Sequence, residues 1–426
     1  MKSIRIWWLA IGGIVFCASD GNAQEAESKR ETTKLANLLL EVESNNPQIH
    51  AAKQEWQSMQ LVPTQAATVP DPQVVLQQTN VGSPRPFAGF TNSDFAYIGV
   101  GVMQDIPYPG KLRLKGELAK KDADVAEQKV EVMRRAMFSE LKMVYFRIAF
   151  LSKQKTILED DRQLLKQMEQ AAEVRYRSGM GNQQEVLQAQ LEQTKLLREI
   201  AANQLEEGKL QAELKQLRGR PQASPDILTE EISESTLNRT FDELVLAAQA
   251  NNPQISVARK SVDKQSTVIE LAKKDFYPDF NAQLMWQRTD PSQFRAYYQF
   301  TIGARIPIYR KKKLQPELAQ AELDKSRAQT DIEVQSQQVA FALRQQLLSV
   351  EKSTELLKIY RDGLLPQAKA EVEAGFVAYQ SNRMDFQALL ASFRDVLKLD
   401  EEYWQTLSEH ETALAQMEEI TGVSLR

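Results

Sequence analysis

Few side chains in this sequence are placed to do covalent or metal chemistry. The 426 residues hold two histidines, His50 and His410, and one cysteine, Cys17. The histidines lie far apart, and neither stands at a metal-ligand spacing from another ligand. Both read as surface residues. Met180 and Met384 occupy nearly equivalent places in two similar segments. Their thioethers suit a soft metal, but packing against a partner, or chance, fits two isolated methionines better. Arg383 and Asp385 are close enough to form an ion pair within one turn, or to sit in a solvated loop. Acidic runs such as Glu159-Asp160-Asp161 read as wet helix faces. No nucleophile stands beside a base, and there is no glycine-rich phosphate loop. The pattern argues against an enzyme, and no cofactor or metal site is expected.

The composition narrows the class further. Charged residues make up 26% and the net charge is −4, which suggests no nucleic-acid surface. Mean hydropathy is −0.45. One strongly apolar stretch stands out, at the N-terminus. Lys2 and Arg5 precede an apolar run from Ile6 to Ala18, and Gly21-Asn22-Ala23 supplies small residues for cleavage before Gln24. Residues 1–23 therefore read as a secretory signal peptide. An uncleaved anchor and a lipid-modified Cys17 are the alternatives, the latter disfavoured by the bulky Phe16 before it. With export but no later apolar helix, a soluble periplasmic protein and a β-barrel remain.

The chain repeats itself. Asn45-Asn46-Pro47-Gln48-Ile49 recurs as Asn251-Asn252-Pro253-Gln254-Ile255, Ile106-Pro107 as Ile306-Pro307, and Tyr176-Arg177-Ser178-Gly179 as Tyr379-Gln380-Ser381-Asn382. The order is the same and the offset stays near 200 residues, which points to duplication. Each copy reads as a short helix, two strands and two very long helices. Residues 219–238, with Pro221 and Pro225, read as a linker. The expected division is thus a first repeat over 24–218 and a second over 239–426.

Strict alternation marks the strands, expected near 72–80, 95–106, 279–287 and 297–307. Phe280, Ala282, Leu284 and Trp286 alternate with polar neighbours, as do Tyr298, Phe300, Ile302 and Ala304; Met285 is the apolar exception on the second face. Segments of about 9–11 residues match a tilted strand crossing a bilayer. A sandwich sheet with one wet face is the alternative. Four strands cannot close around a pore, because even eight leave room only for side chains. A barrel must then be shared between chains, with residues 84–94 and 288–294 as its outer loops.

The helical hairpins are expected near 112–218 and 312–420. Ala119, Ala126 and Met133 form one heptad column; Ala123, Val130, Met137, Val144 and Leu151 form another. A helix of roughly 65 residues is about 100 Å long. The return arm carries Leu187, Leu191, Thr194 and Leu205. Gly179 and Gly181 permit a left-handed reversal, and Asn382 serves in the second copy. Pro366 should kink or divide the second long helix. The expected fold class is mixed α and β: long antiparallel coiled-coil hairpins plus four membrane strands per chain. A coiled-coil scaffold is the alternative from helices alone.

The Asn-Asn-Pro openings, the Ile-Pro strand exits and the Tyr-x-x-Gly reversal together resemble the TolC family of outer-membrane efflux proteins. The resemblance covers nearly all of the mature chain. Residues 104–112, Gln-Asp-Ile-Pro-Tyr-Pro-Gly-Lys-Leu, are further similar to its cation-efflux branch. The resemblance implies a homotrimer in the outer membrane, with a twelve-stranded barrel continued by an α-helical tunnel into the periplasm. It implies a periplasmic adaptor (membrane fusion) protein and an inner-membrane pump of the resistance-nodulation-division type as partners. The pump supplies energy and selects the cargo. Tyr176, Gly179, Gly181, Tyr379, Asn382, Arg383 and Asp385 fall at the tip where such channels gate and meet the adaptor. Pro107, Gly110 and Pro307 fall at the strand-to-helix transition. The family often has Gly where Asn382 stands, and acids where Ala388 and Ala391 stand. A periplasmic adaptor, or an envelope scaffold without channel activity, is the alternative function.

Overall fold

The computed structural model describes residues 33–79, 97–288 and 296–425. The expected signal segment, the loop at 84–94 and nearly all of the loop at 288–294 lie outside the described residues. In chain order the elements are α1 (Leu35–Asn45), α2 (Pro47–Ala67), β1 (Gln73–Thr79), β2 (Tyr97–Ile106), α3 (Lys111–Arg177), α4 (Gln183–Leu217), α5 (Phe241–Asn251), α6 (Pro253–Lys274), β3 (Asp279–Arg288), β4 (Tyr297–Arg305), α7 (Gln315–Ile359), α8 (Leu365–Gln380) and α9 (Phe386–Thr421). The chain is mostly helical, with one small antiparallel sheet.

Each half opens on two helices, not the expected one, because an asparagine breaks the run. The Asn46 side chain accepts from the amides of Gln48 (2.8 Å) and Ile49 (3.1 Å), capping α2. Its Nδ2 donates to Leu217 O (2.8 Å) at the end of α4. Asn252 does the same: it accepts from Gln254 (2.9 Å) and Ile255 (3.2 Å) and donates to Ile420 O in α9 (2.8 Å). Both asparagines are buried, so each ties a helix start to the end of a long helix.

The sheet order is β1-β2-β3-β4. Gly101 pairs with Met285 across β2 and β3. A Cβ on Gly101 would come within 2.4 Å of Leu284 O and 2.5 Å of Met285 Cγ, so only glycine lets the two strands meet under that side chain. Met285 is accordingly buried on the polar face. The opposite face exposes Val74, Leu76, Val100, Leu284, Trp286, Phe300 and Ile302.

Helix α3 runs unbroken for 67 residues, about 100 Å at the usual rise. Ala119, Ala123, Ala126, Met137, Val144 and Leu151 are buried along it, and Met133 packs beside them. The return arm differs from expectation. Leu187, Leu191, Thr194 and Leu205 are exposed, and Ala189, Leu196, Asn203 and Leu214 turn inward instead. Among these inward groups, Asn203 Nδ2 donates to Leu151 O (3.0 Å) and Gln154 Oε1 (2.8 Å), while its Oδ1 is buried without a hydrogen-bond partner. The second long helix is divided ahead of Pro366 by one π-turn, Tyr360–Leu364; a second, Arg310–Leu314, stands ahead of Pro316. Proline lacks a donor and its ring crowds the carbonyl four residues back, so widening the turn relieves both.

Three segments are more tightly held than their sequence suggests. His410 is buried, not superficial: Nδ1 lies 2.8 Å from Ser353 Oγ and Nε2 2.9 Å from Ser235 O. Residues 219–238 connect the halves but also form a strap, with Ile227 and Ile232 buried and Ser235 bonded to Glu411. Asp161 is not a wet-face acid, because it lines a cleft with Leu365 and Lys369 of α8 and Val396 and Asp400 of α9. Its Oδ2 is shut from solvent without a hydrogen-bond partner. Burial, then the carboxylates of Asp400 and Asp160, outweigh Lys369 and raise its pKa to about 7.

Two predictions follow from these contacts. Asn46→Ala or Asn252→Ala removes a cap and strands a buried carbonyl, and should cost about 2 kcal/mol or more, read as a lower midpoint of thermal loss of helical circular dichroism. An unchanged midpoint would show that the asparagines do not hold the frame. Asp161 binds its proton more tightly folded than unfolded. Its contribution to stability is therefore fully present below about pH 3.8 and lost as pH rises through about 7. Asp161→Asn should raise the melting temperature at about pH 8 and leave it nearly unchanged at about pH 4; equal shifts at both would contradict this.

Candidate functional site

Two places concentrate the unusual residues: the reversal of the long helices and the collar where strands become helices.

At the first reversal, Gly179 takes a left-handed φ of 72°. The amides of Met180 (2.9 Å) and Gly181 (3.1 Å) both donate to Arg175 O, which closes the end of α3. Gly181 is not left-handed. It is needed for space: a Cβ there would meet Arg175 Cβ at 3.0 Å. At the second reversal Asn382 takes φ 62°, the one described non-glycine residue with positive φ. Arg383 N donates to Ala378 O (2.8 Å). Arg383 and Asp385 form no ion pair with each other among the described residues. Asp385 instead caps α9, accepting from Ala388 N at 2.7 Å, and Arg383 is exposed. Met180 is exposed too, whereas Met384 packs over Gly375.

The two equivalent tyrosines have different fates. Tyr176 is 46% exposed and Tyr379 is fully buried. Tyr379 meets Phe386 edge-on at 5.5 Å and lies under the Arg175 guanidinium, 4.4 Å from its ring centre. Its hydroxyl donates to Glu185 Oε2 at 2.6 Å. Burial, reinforced by that carboxylate, pushes the phenol well above its ordinary range, so it stays a donor. Arg175 also donates to Tyr379 O, to Met180 O (3.2 Å) and to Asn382 Oδ1 (2.7 Å). One arginine thus holds both reversals together. A second cross-tie lies up the shaft, where Glu192 of α4 accepts from Lys195 and from Arg394 of α9. Burial opposes charge on Glu192, but the two bases outweigh it and keep its pKa below the usual value.

Arg175 and Glu185 escaped the sequence reading, although a signal was present. Set Tyr176 against Tyr379, and Arg175 falls opposite Ala378 and Glu185 opposite Ala388. The acid sought beside the second reversal stands on the first hairpin. Charged groups at one copy facing small ones at the other are what an asymmetric contact between copies requires.

At the collar, Pro107 ends β2 and Gly110 takes φ 92°, where a Cβ would meet only the Lys274 side chain, at an ordinary 3.8 Å from Cε, so backbone freedom is its reason for being there. Lys111 is 5% exposed and lies 3.1 Å from Asp275 and 2.9 Å from Asp279. Tyr108 N donates to Asp279 Oδ1 (2.8 Å), and the Tyr108 ring stacks on Tyr277 at 4.5 Å. Pro307 ends β4 differently. Arg310, Lys311, Lys312 and Lys313 after it are exposed. Among the described residues no group of three or more His, Cys, Asp or Glu is arranged to hold a metal, and no helix is long and apolar enough to cross a membrane.

Comparison with known proteins agrees with this architecture. Structures of outer-membrane channels share the fold: OprN (16% identity, 91% of this chain and 89% of that one, TM-score 0.76), VceC of Vibrio cholerae (16%, 92% and 97%, 0.75) and CusC (16%, 91% and 92%, 0.76). No curated protein matches the chain significantly by sequence. The sequence profile of the outer membrane efflux protein family matches residues 38–220 and 244–386. With most of its length matched, and with strands and helices in the arrangement of solved channels, the chain belongs to the outer membrane efflux protein family.

Proposed function

We propose that this protein is the outer-membrane duct of a tripartite efflux system, a homotrimer whose three sheets close one twelve-stranded barrel. The observation that carries the reading is the sheet. It exposes a continuous apolar face and both edges while joined to helices about 100 Å long. An adaptor or a scaffold has no use for such a face. In a bilayer it meets lipid, and closure satisfies the edges.

The signal segment 1–23 would be removed on export. The tandem repeats, 24–218 and 239–426 joined by 219–238, are supported by matching pairs: Gln73 opposite Met103 in the first half, Asn281 opposite Gly303 in the second. The helix reversals form the periplasmic end, which meets a periplasmic adaptor and, through it, a pump of the resistance-nodulation-division type. The duct itself is passive and catalyses no reaction. Tyr176, Gly179, Gly181, Asn382, Arg383 and Asp385 shape that end, and the exposed Tyr176, Met180 and Arg383 face the adaptor. Arg175, Tyr379 and Glu185 form the latch that keeps it narrow.

The test is single-channel conductance of the purified protein in a planar bilayer, with its mass in detergent. A trimer with small, stable conductance is expected. Losing a hydrogen bond to a charged group costs the closed state about 1.5–3 kcal/mol, enough to raise a minor open population about tenfold or more. Arg175→Ala and Tyr379→Phe should therefore open the duct, while Arg383→Ala should not. A trimer whose conductance ignores Arg175 and Tyr379 overturns the latch; a protein that never inserts overturns the channel.

A further inference from the structure

The inner seam of the sheet, β2 against β3, is where the two halves meet, and it is sealed below by ions. Lys111, five residues beyond Ile106, reaches Asp279 at the start of β3, with Asp275 as its second carboxylate. The outer edges, β1 and β4, have no strand beside them among the described residues.

The registers make the two halves superposable residue by residue. Gln73 opposite Met103 corresponds to Asn281 opposite Gly303. Along the same alignment Pro70-Asp71 answers Pro278-Asp279, Leu76 answers Leu284, Gln77 answers Met285, and Val102 answers Ile302. Through the two Ile-Pro exits, Lys111 answers Lys311. The inner seam pairs Val102 with Leu284 and Gly101 with Met285. Transferred to the outer edges, that seam pairs Ile302 with Leu76 and Thr301 with Gln77. Ile302 and Leu76 both lie on the exposed apolar face, as the pairing needs.

Charge points the same way. Asp71 is exposed, and the β1–β2 register continues to place Asp105 opposite it; neither has an ion pair among the described residues. At the same level of the sheet, β4 runs into the exposed bases Arg310, Lys311, Lys312 and Lys313, which also have none. One edge is acidic where the other is basic. Ala67 stands where Asp275 stands, and Asp105 replaces it as the second carboxylate.

We propose that β4 of one copy pairs with β1 of a second copy in the register Ile302–Leu76 and Thr301–Gln77, and that Lys311 closes this seam on Asp71 and Asp105 of the neighbouring copy. The inference rests on the trimeric duct proposed above and deepens it. The inner seam is then the template for all the seams of the barrel, and the four-base run is the male half of a subunit clamp.

The test uses the full chain with Gln77→Cys and Thr301→Cys together, oxidised and run without reductant. Covalent dimers and trimers are expected, because facing residues of an antiparallel pair lie within disulfide reach. Gln78→Cys with Thr301→Cys should give none, because successive side chains point to opposite faces. Each single-cysteine variant controls for Cys17. For the clamp, Asp71→Lys and Lys311→Asp should each lower the temperature at which the trimer dissociates, and the double swap should restore it. A trimer by mass that cross-links only in the slipped pair, or in neither, overturns the register. Single swaps without effect, or a double swap that fails to restore, overturn the clamp. A monomer by mass overturns the trimeric reading itself.

Discussion

The structure is governed by backbone hydrogen bonds that one chain cannot complete. Among the described residues, β1 and β4 have no strand on their outer sides, so the sheet ends on two open edges. In water such edges invite aggregation, and in lipid each unpaired group costs several kcal/mol. In the proposed barrel the exposed apolar face meets lipid, and strand pairing with another copy completes the edges. Shared closure then fixes much else. The strands must be short, the outward residues apolar, and the number of copies sufficient to leave a lumen. Gly101 follows from the same demand, because Met285 fills the polar side of the inner seam only where its partner has no side chain.

The helices answer a different constraint. A shaft 67 residues long cannot be held by a globular core, so the contacts recur along it. Alanines on α3 allow close approach, and buried polar residues such as Asn203 and Glu192 are each given partners. The asparagines at 46 and 252 anchor the near end of each hairpin to the short helices beside the sheet. The leucines of α4 that face outward, Leu187, Leu191 and Leu205, are the helical counterpart of the open strand edges. In the proposed trimer they are apolar surface that a neighbouring copy covers.

What the sequence disclosed was local and periodic. Alternation revealed the strands because one face of each is apolar, and Gly179 and Asn382 marked the reversals because left-handed backbone excludes most residues. What it hid depended on partners far along the chain. Arg175 reads as one more basic residue until Tyr379 and Asn382, some two hundred positions away, come under it. His410 and Asp161 looked superficial because their own helices are polar around them; burial came from the strap and from α8 and α9. The face of α4 was misassigned for the related reason that Leu187, Leu191 and Leu205 stay exposed while Leu196, Leu214 and Leu217 turn inward. Of the two readings of Arg383 and Asp385, an ion pair or a solvated loop, the structure shows no ion pair between them, and Asp385 caps the Ala388 amide instead.

The chemistry of the reversal also explains why it is polar. In the proposed duct, a tip that is tight at rest and opens when engaged cannot depend on a large apolar core alone. Each methylene exposed on opening would cost about 0.8 kcal/mol, and many would have to move together. Hydrogen bonds to charged groups have the opposite character. They are strong while the geometry is right, they end within a fraction of an ångström, and water or an incoming donor replaces them at small net cost. Arg175 concentrates several such bonds on one guanidinium, with Tyr379 as its platform and Glu185 fixing that platform in turn. On the latch proposed above, displacing the Arg175 side chain removes the ties between the two reversals, while Phe386, Leu389 and Leu390 beneath them belong to an apolar cluster that does not depend on it. On this proposal the apolar cluster beneath the reversals persists while the polar ties of Arg175 at the very end release, the division that a duct with one moving part requires.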